Sequence, residues 1–153
     1  MKKYSMISNR RLHIFTLFLS VIAVILEALP IGAVAYFSVA PHESKKVLFS
    51  YFNATLWGYA NIFPMLTAVF TCVIVLLCLF ALITGKGGLN KSAMILSLIA
   101  FVTSIAPPIF FTDIRLVSIA GVIISVLILA VFLICGFIYV KDRKTSRPAG
   151  NEQ

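Results

Sequence analysis

The sequence predicts an all-α fold: a four-helix transmembrane bundle with both termini in the cytoplasm. Three observations carry this expectation. Hydrophobic residues make up 61% of the 153 positions and charged ones only 12%, whereas a typical soluble chain is about 25% charged. The apolar residues fall into four runs of roughly 19 to 27 residues, long enough to cross a hydrocarbon core of about 30 Å. Lys and Arg sit in the short segments flanking those runs, where basic residues act as topology signals. Residues 1–153 read as a single integral membrane domain.

The first run extends from Leu12 to Phe37, with the span placed at about 12–36. That is more than a crossing needs, so the helix must tilt, kink or protrude. Pro30 offers a kink, because it removes a backbone donor and clashes with the preceding turn. A basic start, an apolar stretch and Ala33-Val34-Ala35 also fit a secretory signal, which would leave Tyr36 as the mature N-terminus. The length of the run and the presence of Glu27 count against that alternative.

Residues 38–61 form the longest connection, an outer loop. Its aromatic content, from Phe49, Tyr51 and Phe52 to Trp57 and Tyr59, suggests a segment lying in the headgroup layer. The second span covers about 63–84 and opens on Pro64, tolerated in a first helical turn. Gly85-Lys86-Gly87-Gly88 ends it as a tight turn. Asn90 or Ser92 would cap the third span, 93–111, which Pro107-Pro108 should bend or end. Asp113 is placed to cap the fourth, 114–140, and the tail 141–153 is too polar to pack. Ten of the 13 Lys and Arg belong to the N-terminus, the Gly-rich turn and the tail, against Lys45, Lys46 and Arg115 on the other side. The positive-inside rule then puts both termini in the cytoplasm.

Small residues recur on one face of span three (Ala93, Ser97, Ala100, Ser104) and of span four (Ser118, Gly121, Ser125), at helical spacings of three and four. Folding the hairpin about Phe111 sets Ser104 level with Ser118, Ala100 with Gly121 and Ser97 with Ser125. Such seams let helices approach closely in lipid.

Glu27 is the only carboxylate inside an apolar run. An ionisable group at membrane depth marks a functional site by default. Counting helical rise from Leu12 puts Glu27 about 22 Å along its helix, some 8 Å short of the outer boundary. Thr67, Ser104 and Ser118 enter their own spans by similar distances. These four define an expected polar layer, with Arg115 just above it and able to reach down.

Other chemistry is not supported. The sequence has no Cys-x-x-Cys, His-Glu-x-x-His or Gly-x-Ser-x-Gly motif. His42 is solitary, so no metal is expected, and no cofactor is implied. Cys72, Cys78 and Cys135 all lie in apolar runs and make no disulfide framework. The net charge of +8 is accounted for by topology, with no nucleic-acid-reading motif beside it. The expected partners are the lipid bilayer and another membrane protein or a second copy. Two functions follow for a chain not expected to be an enzyme: an accessory or interaction subunit, or a small proton- or cation-coupled transporter using Glu27.

Leu26-Glu27-x-Leu29-Pro30-x-Gly32-Ala33, Ser50-Tyr51-Phe52 and Gly58-Tyr59-Ala60-Asn61-x-x-Pro64 together resemble a group of small four-span bacterial membrane proteins. The resemblance covers roughly the first half of the chain. It implies a bacterial cytoplasmic membrane and attaches no activity.

The topology is testable directly. Reporter fusions after Gly88 and after Val140 should behave as cytoplasmic, and one near Ser44 as external. An external signal at Gly88 overturns the arrangement.

Overall fold

A computed structural model of the chain describes residues 2–40, 43–59, 61–84 and 88–146. Residues 85–87, where a tight turn is expected, His42 and the chain beyond 146 lie outside the described residues, as do the side chains of Trp57 and Tyr59. Four α-helices run Lys2–Ala28 (α1), Phe63–Thr84 (α2), Gly88–Phe110 (α3) and Ile119–Ser146 (α4). Each is long and apolar enough to cross a membrane. Helix α1 packs against α2 and α4, α2 against α3, and α3 against α4, which closes a four-helix bundle.

The packing seams follow from heptad-like spacing. Buried residues recur at alternating steps of three and four: Thr16, Ser20, Ala23 and Glu27 on α1; Thr67, Thr71, Ile74 and Cys78 on α2; Ala93, Ser97, Ala100 and Ser104 on α3; Ile124, Ile128, Val131 and Cys135 on α4. This keeps one stripe of each helix facing its neighbours. Three stripes are rich in small or hydroxyl-bearing residues, and α4 supplies the bulk. The opposite faces are apolar too: Phe18, Leu76, Val102, Leu133 and Phe137 are more than half exposed. That pattern suits lipid as the surrounding solvent.

Several expectations need correction. The first apolar run is not one helix. Helix α1 stops at Ala28, and residues 33–40 form a strand, β1 (Ala33–Ala40), paired antiparallel with β2 (Glu43–Phe49). Pro30 therefore ends the helix rather than kinking it. It cannot donate to the Leu26 carbonyl, which instead accepts the Leu29 N–H at 3.3 Å. The connection between α1 and α2 is thus a hairpin followed by a 3-10 helix at Ala54–Tyr59. Its base is sunk in the bundle, with Ala33, Val34, Ala35, Tyr51 and Leu56 all buried.

The third span continues through Pro107 and Pro108 to Phe110, with the Phe111 N–H donating to the Pro107 carbonyl at 3.1 Å. The fourth helix does not begin at Ile114. Thr112 takes a left-handed φ of 50°, an uncommon conformation for a β-branched residue. A 3-10 helix, Ile114–Leu116, follows and is the element that Asp113 caps. Helix α4 starts only at Ile119, capped by Ser118, whose Oγ accepts the Gly121 N–H at 2.8 Å. Its far end runs on to Ser146, through residues expected in a polar tail. There Asp142 accepts from the Asn90 amide at 2.7 Å, so Asn90 ties α3 to α4 and is not a cap.

The longer connection moves the hairpin axis. It lies midway between Phe110 and Ile119, not at Phe111, so the α3–α4 register shifts by about two helical turns. Ser104 meets Ser125 (Oγ to Oγ, 2.9 Å) and not Ser118. Gly136 lies against Met94, whose Sδ would be 3.6 Å from a Cβ added there. Gly121 faces the hairpin base instead of α3. An added Cβ would sit 3.1 Å from the Gly32 carbonyl oxygen and 3.3 Å from Tyr51 Oη. Replacing Gly121 by Leu should cost about 1–3 kcal/mol through overpacking. Ile123→Leu, on an exposed position of the same helix, should be near neutral. Equal melting temperatures for both variants in detergent would remove Gly121 from the packing.

Candidate functional site

The site is built where α1 ends. An α-helix leaves its last four carbonyls without intrahelical donors, and Pro30 and the turn after it deepen that shortage. The Ile31 N–H donates to the Leu29 carbonyl at 2.8 Å, so it is not available to Glu27. The Glu27 carbonyl is satisfied from elsewhere in the chain, by the Tyr51 N–H at 2.8 Å. That bond staples the residue just after the hairpin to the end of the first span.

The Glu27 side chain points inward and is fully buried. Its Oε1 accepts the Thr71 hydroxyl at 2.9 Å, while Oε2 has no hydrogen-bond partner among the described residues. The Thr71 hydroxyl also donates to the Thr67 carbonyl at 2.8 Å, a shared geometry common for Thr in apolar helices. Thr71 stands eight residues into α2, about 12 Å at 1.5 Å per residue. Helix α1 therefore ends well short of the start of α2. The chain covers the remaining depth as a turn and strand buried in protein, where non-helical backbone is tolerated.

Above Glu27 the same segments interlock. The Tyr51 ring lies on Gly32, where an added Cβ would be 2.8 Å from Tyr51 Cε1. Only a residue without a side chain allows that approach. The Ser118 hydroxyl donates to the Gly32 carbonyl while capping α4. One hydroxyl thereby joins the turn after α1 to the start of α4. Burial pushes the Tyr51 phenol well above its ordinary pKa, and the nearby Glu27 carboxylate acts in the same direction, so Tyr51 stays a neutral hydroxyl.

The expected polar layer is divided among separate pairs. Thr67 bonds Thr103 at 2.9 Å, Ser104 bonds Ser125, and Ser118 bonds Gly32. None of the three bonds the Glu27 carboxyl. Arg115 does not reach down. Its Nε pairs with Asp113 at 3.1 Å with the Arg side chain 69% exposed, and its guanidinium lies 5.5 Å from the Tyr36 ring centre. The Arg115 side chain and then its backbone N–H hold the Asp113 carboxyl below its ordinary pKa. Local geometry explains this: two residues apart, Asp113 needs no chain movement to meet Arg115, whereas Glu27 would require the cation to leave the surface.

Thr71 has no place in the sequence reading, and Tyr51 and Asn61 enter it only through the outer loop and the motifs, not as site residues. Thr71 lies in an uninterrupted apolar run, and its spacing of four from Thr67 was the available signal. Beside the interlock lies a cleft of about 380 Å³ between the hairpin base, α3 and α4, with Tyr51, Asn61 and Ser118 at its polar end. Residues singled out far apart in the sequence meet here: Gly32 and Ala33 from one motif, Tyr51 from the second, and Asn61 and Pro64 from the third. No family model, curated protein or solved structure matches the chain.

The Glu27–Thr71 bond can be measured by a double-mutant cycle. Thr71→Val should cost about 1–3 kcal/mol because it strips the buried carboxyl of its donor. Thr71→Ser should retain most of the stability. In a Glu27→Met background the Thr71→Val change should cost much less. Strict additivity would show that the two groups do not interact.

Proposed function

We propose that this multi-pass membrane protein is an accessory or interaction subunit, presenting the hairpin as its contact element with both termini cytoplasmic. It would act in a cell membrane beside another membrane protein or a second copy of itself. The observation that carries the reading is how firmly the hairpin is held. The Tyr51 N–H to Glu27 carbonyl bond, the Ser118 bond to Gly32, and the Tyr36 hydroxyl to Arg115 carbonyl bond at 3.3 Å fix it to three parts of the bundle. A strand pair so anchored has little ordering left to do on binding. Its far edge, β2, exposes Ser44, Lys45, Lys46 and Leu48. An exposed strand edge accepts a partner strand, and the two lysines favour an acidic one.

A photo-crosslinker at position 46 tests this in intact cells. One product of defined mass is expected there, lost when Lys45 is also changed to Asp, and absent with the crosslinker at lipid-facing position 133. No protein product at position 46 overturns the reading.

A second reading rests on Oε2 of Glu27, which has no hydrogen-bond partner among the described residues. A buried carboxylate oxygen without a partner, beside the C-terminal end of a broken helix, is the arrangement from which membrane cation and proton sites are made. If the site works this way, purified protein in vesicles should carry a proton- or cation-dependent flux. Glu27→Gln should abolish the flux while leaving the fold intact by circular dichroism. Wild-type vesicles as tight as empty ones would dispose of the transport reading.

A further inference from the structure

We infer that the cleft beside the hairpin base is a binding site for an uncharged glycerolipid, of the diacylglycerol class, drawn from the membrane leaflet on the hairpin side. Its volume of about 380 Å³ falls in the usual range for small-molecule sites, roughly 300–1,000 Å³. Three features select the ligand.

The first is depth. The cleft reaches from Pro108 and Leu116, at the helix ends, down to Leu129. Leu129 lies ten residues into α4, about 15 Å at 1.5 Å per residue. That is half of a hydrocarbon core of roughly 30 Å, so the cleft spans one leaflet, the reach of an acyl chain. Its lower walls are apolar apart from Ser104 and Ser125, whose hydroxyls bond each other, with Phe101, Val126 and Leu129 among them.

The second is the polar end. Asn61 is 8% exposed, yet its Oδ1 has no partner among the described residues. A buried amide oxygen left unpaired is destabilising, and a ligand hydroxyl would satisfy it. The amide can also donate. The Tyr51 hydroxyl borders the same space, neutral and close to Gly121. Pro107 and Pro108, also in the lining, leave the Thr103 and Ser104 carbonyls without their helical donors. Hydroxyl and ester groups, which need both donors and acceptors, match this end of the cleft. Among the described residues no charged side chain lines it, which disfavours a phosphate within it.

The third is access. Val122 and Val126 line the cleft and are also about half exposed, at 49% and 59%. The mouth therefore opens between the helices onto the lipid-facing surface, and a chain can enter sideways from the bilayer.

The test uses the full chain in phospholipid vesicles holding a trace of diacylglycerol with a photoactivatable group in one acyl chain. A parallel set carries the same chain on phosphatidylglycerol. Diacylglycerol should label residues of the cleft on α3 and α4, and excess unlabelled diacylglycerol should compete. Asn61→Leu should weaken this labelling about tenfold, equivalent to 1.4 kcal/mol. Val126→Trp, which fills the mouth from an exposed position, should abolish it. Leu133→Trp, two turns deeper on the same face and outside the cleft, should leave it unchanged, and matched melting temperatures would show that the variants are folded. Equal labelling by the two probes overturns the choice of an uncharged lipid. Labelling that neither competes nor responds to Val126→Trp means that the cleft holds only bulk lipid, and the site is refuted. Neither result bears on the crosslink at position 46, so the interaction reading stands or falls separately.

Discussion

The bond on which the rest of the structure depends runs between two backbone groups, the Tyr51 N–H and the Glu27 carbonyl. A span that stops inside a bilayer exposes carbonyls that water cannot reach, each costing several kcal/mol. Pro30 forces α1 to stop there. The chain resolves the shortage by returning the segment after the hairpin to the helix end. Once Tyr51 is held in that place, its ring covers Gly32, and the Gly32 carbonyl in turn receives the Ser118 hydroxyl. The start of α4 is thereby set by the end of α1. The hairpin is not an appendage; its base replaces the last turns of the first span.

The rest of the bundle depends mainly on shape. Several hydroxyls in the spans, including those of Thr16, Ser20 and Thr84, donate to carbonyls four residues earlier in their own helix, which satisfies them without joining helices. Side-chain bonds that cross between helices include Thr71 to Glu27, Thr67 to Thr103, Ser104 to Ser125 and Asn90 to Asp142. Such bonds average only about 0.6 kcal/mol in a membrane protein. Close packing along the small-residue stripes must therefore supply most of the association energy. The interlock at the hairpin end is the exception, because there a buried carboxyl and freed backbone groups leave little tolerance for misplacement.

This division also separates rigid from receptive parts of the molecule. Beside the interlock, the late start of α4 and the persistence of α3 through its two prolines hold the helix ends apart. The cleft is the space that results. Its polar end belongs to the rigid interlock and its apolar walls to the helices, so ligand recognition and chain support draw on different residues of the same region.

Four spans, the limits of the second, the small-residue stripe on α3 and Glu27 as the carboxylate inside a span are legible in the sequence, because hydropathy and helical spacing are local properties. The stripe Thr16, Ser20, Ala23 and Glu27 was readable by the same spacing rule that exposed Ala93, Ser97, Ala100 and Ser104. Local rules failed where backbone groups chose partners across the chain. Hydropathy cannot distinguish a helix from a buried strand, so Leu12 to Phe37 read as one span although Pro30 and Gly32 divide it. The Ser104–Ser125 register depended on the length of the connection, which the left-handed Thr112 and the Asp113 cap set. The partner of Glu27 was decided by proximity alone: Thr71 is buried across from it, while Arg115 finds Asp113 two residues away and stays at the surface. Composition and periodicity determined that this chain forms spans and which faces pack. Only the tertiary structure decided which donor reached each carbonyl left free, since that depends on distances between segments far apart in sequence.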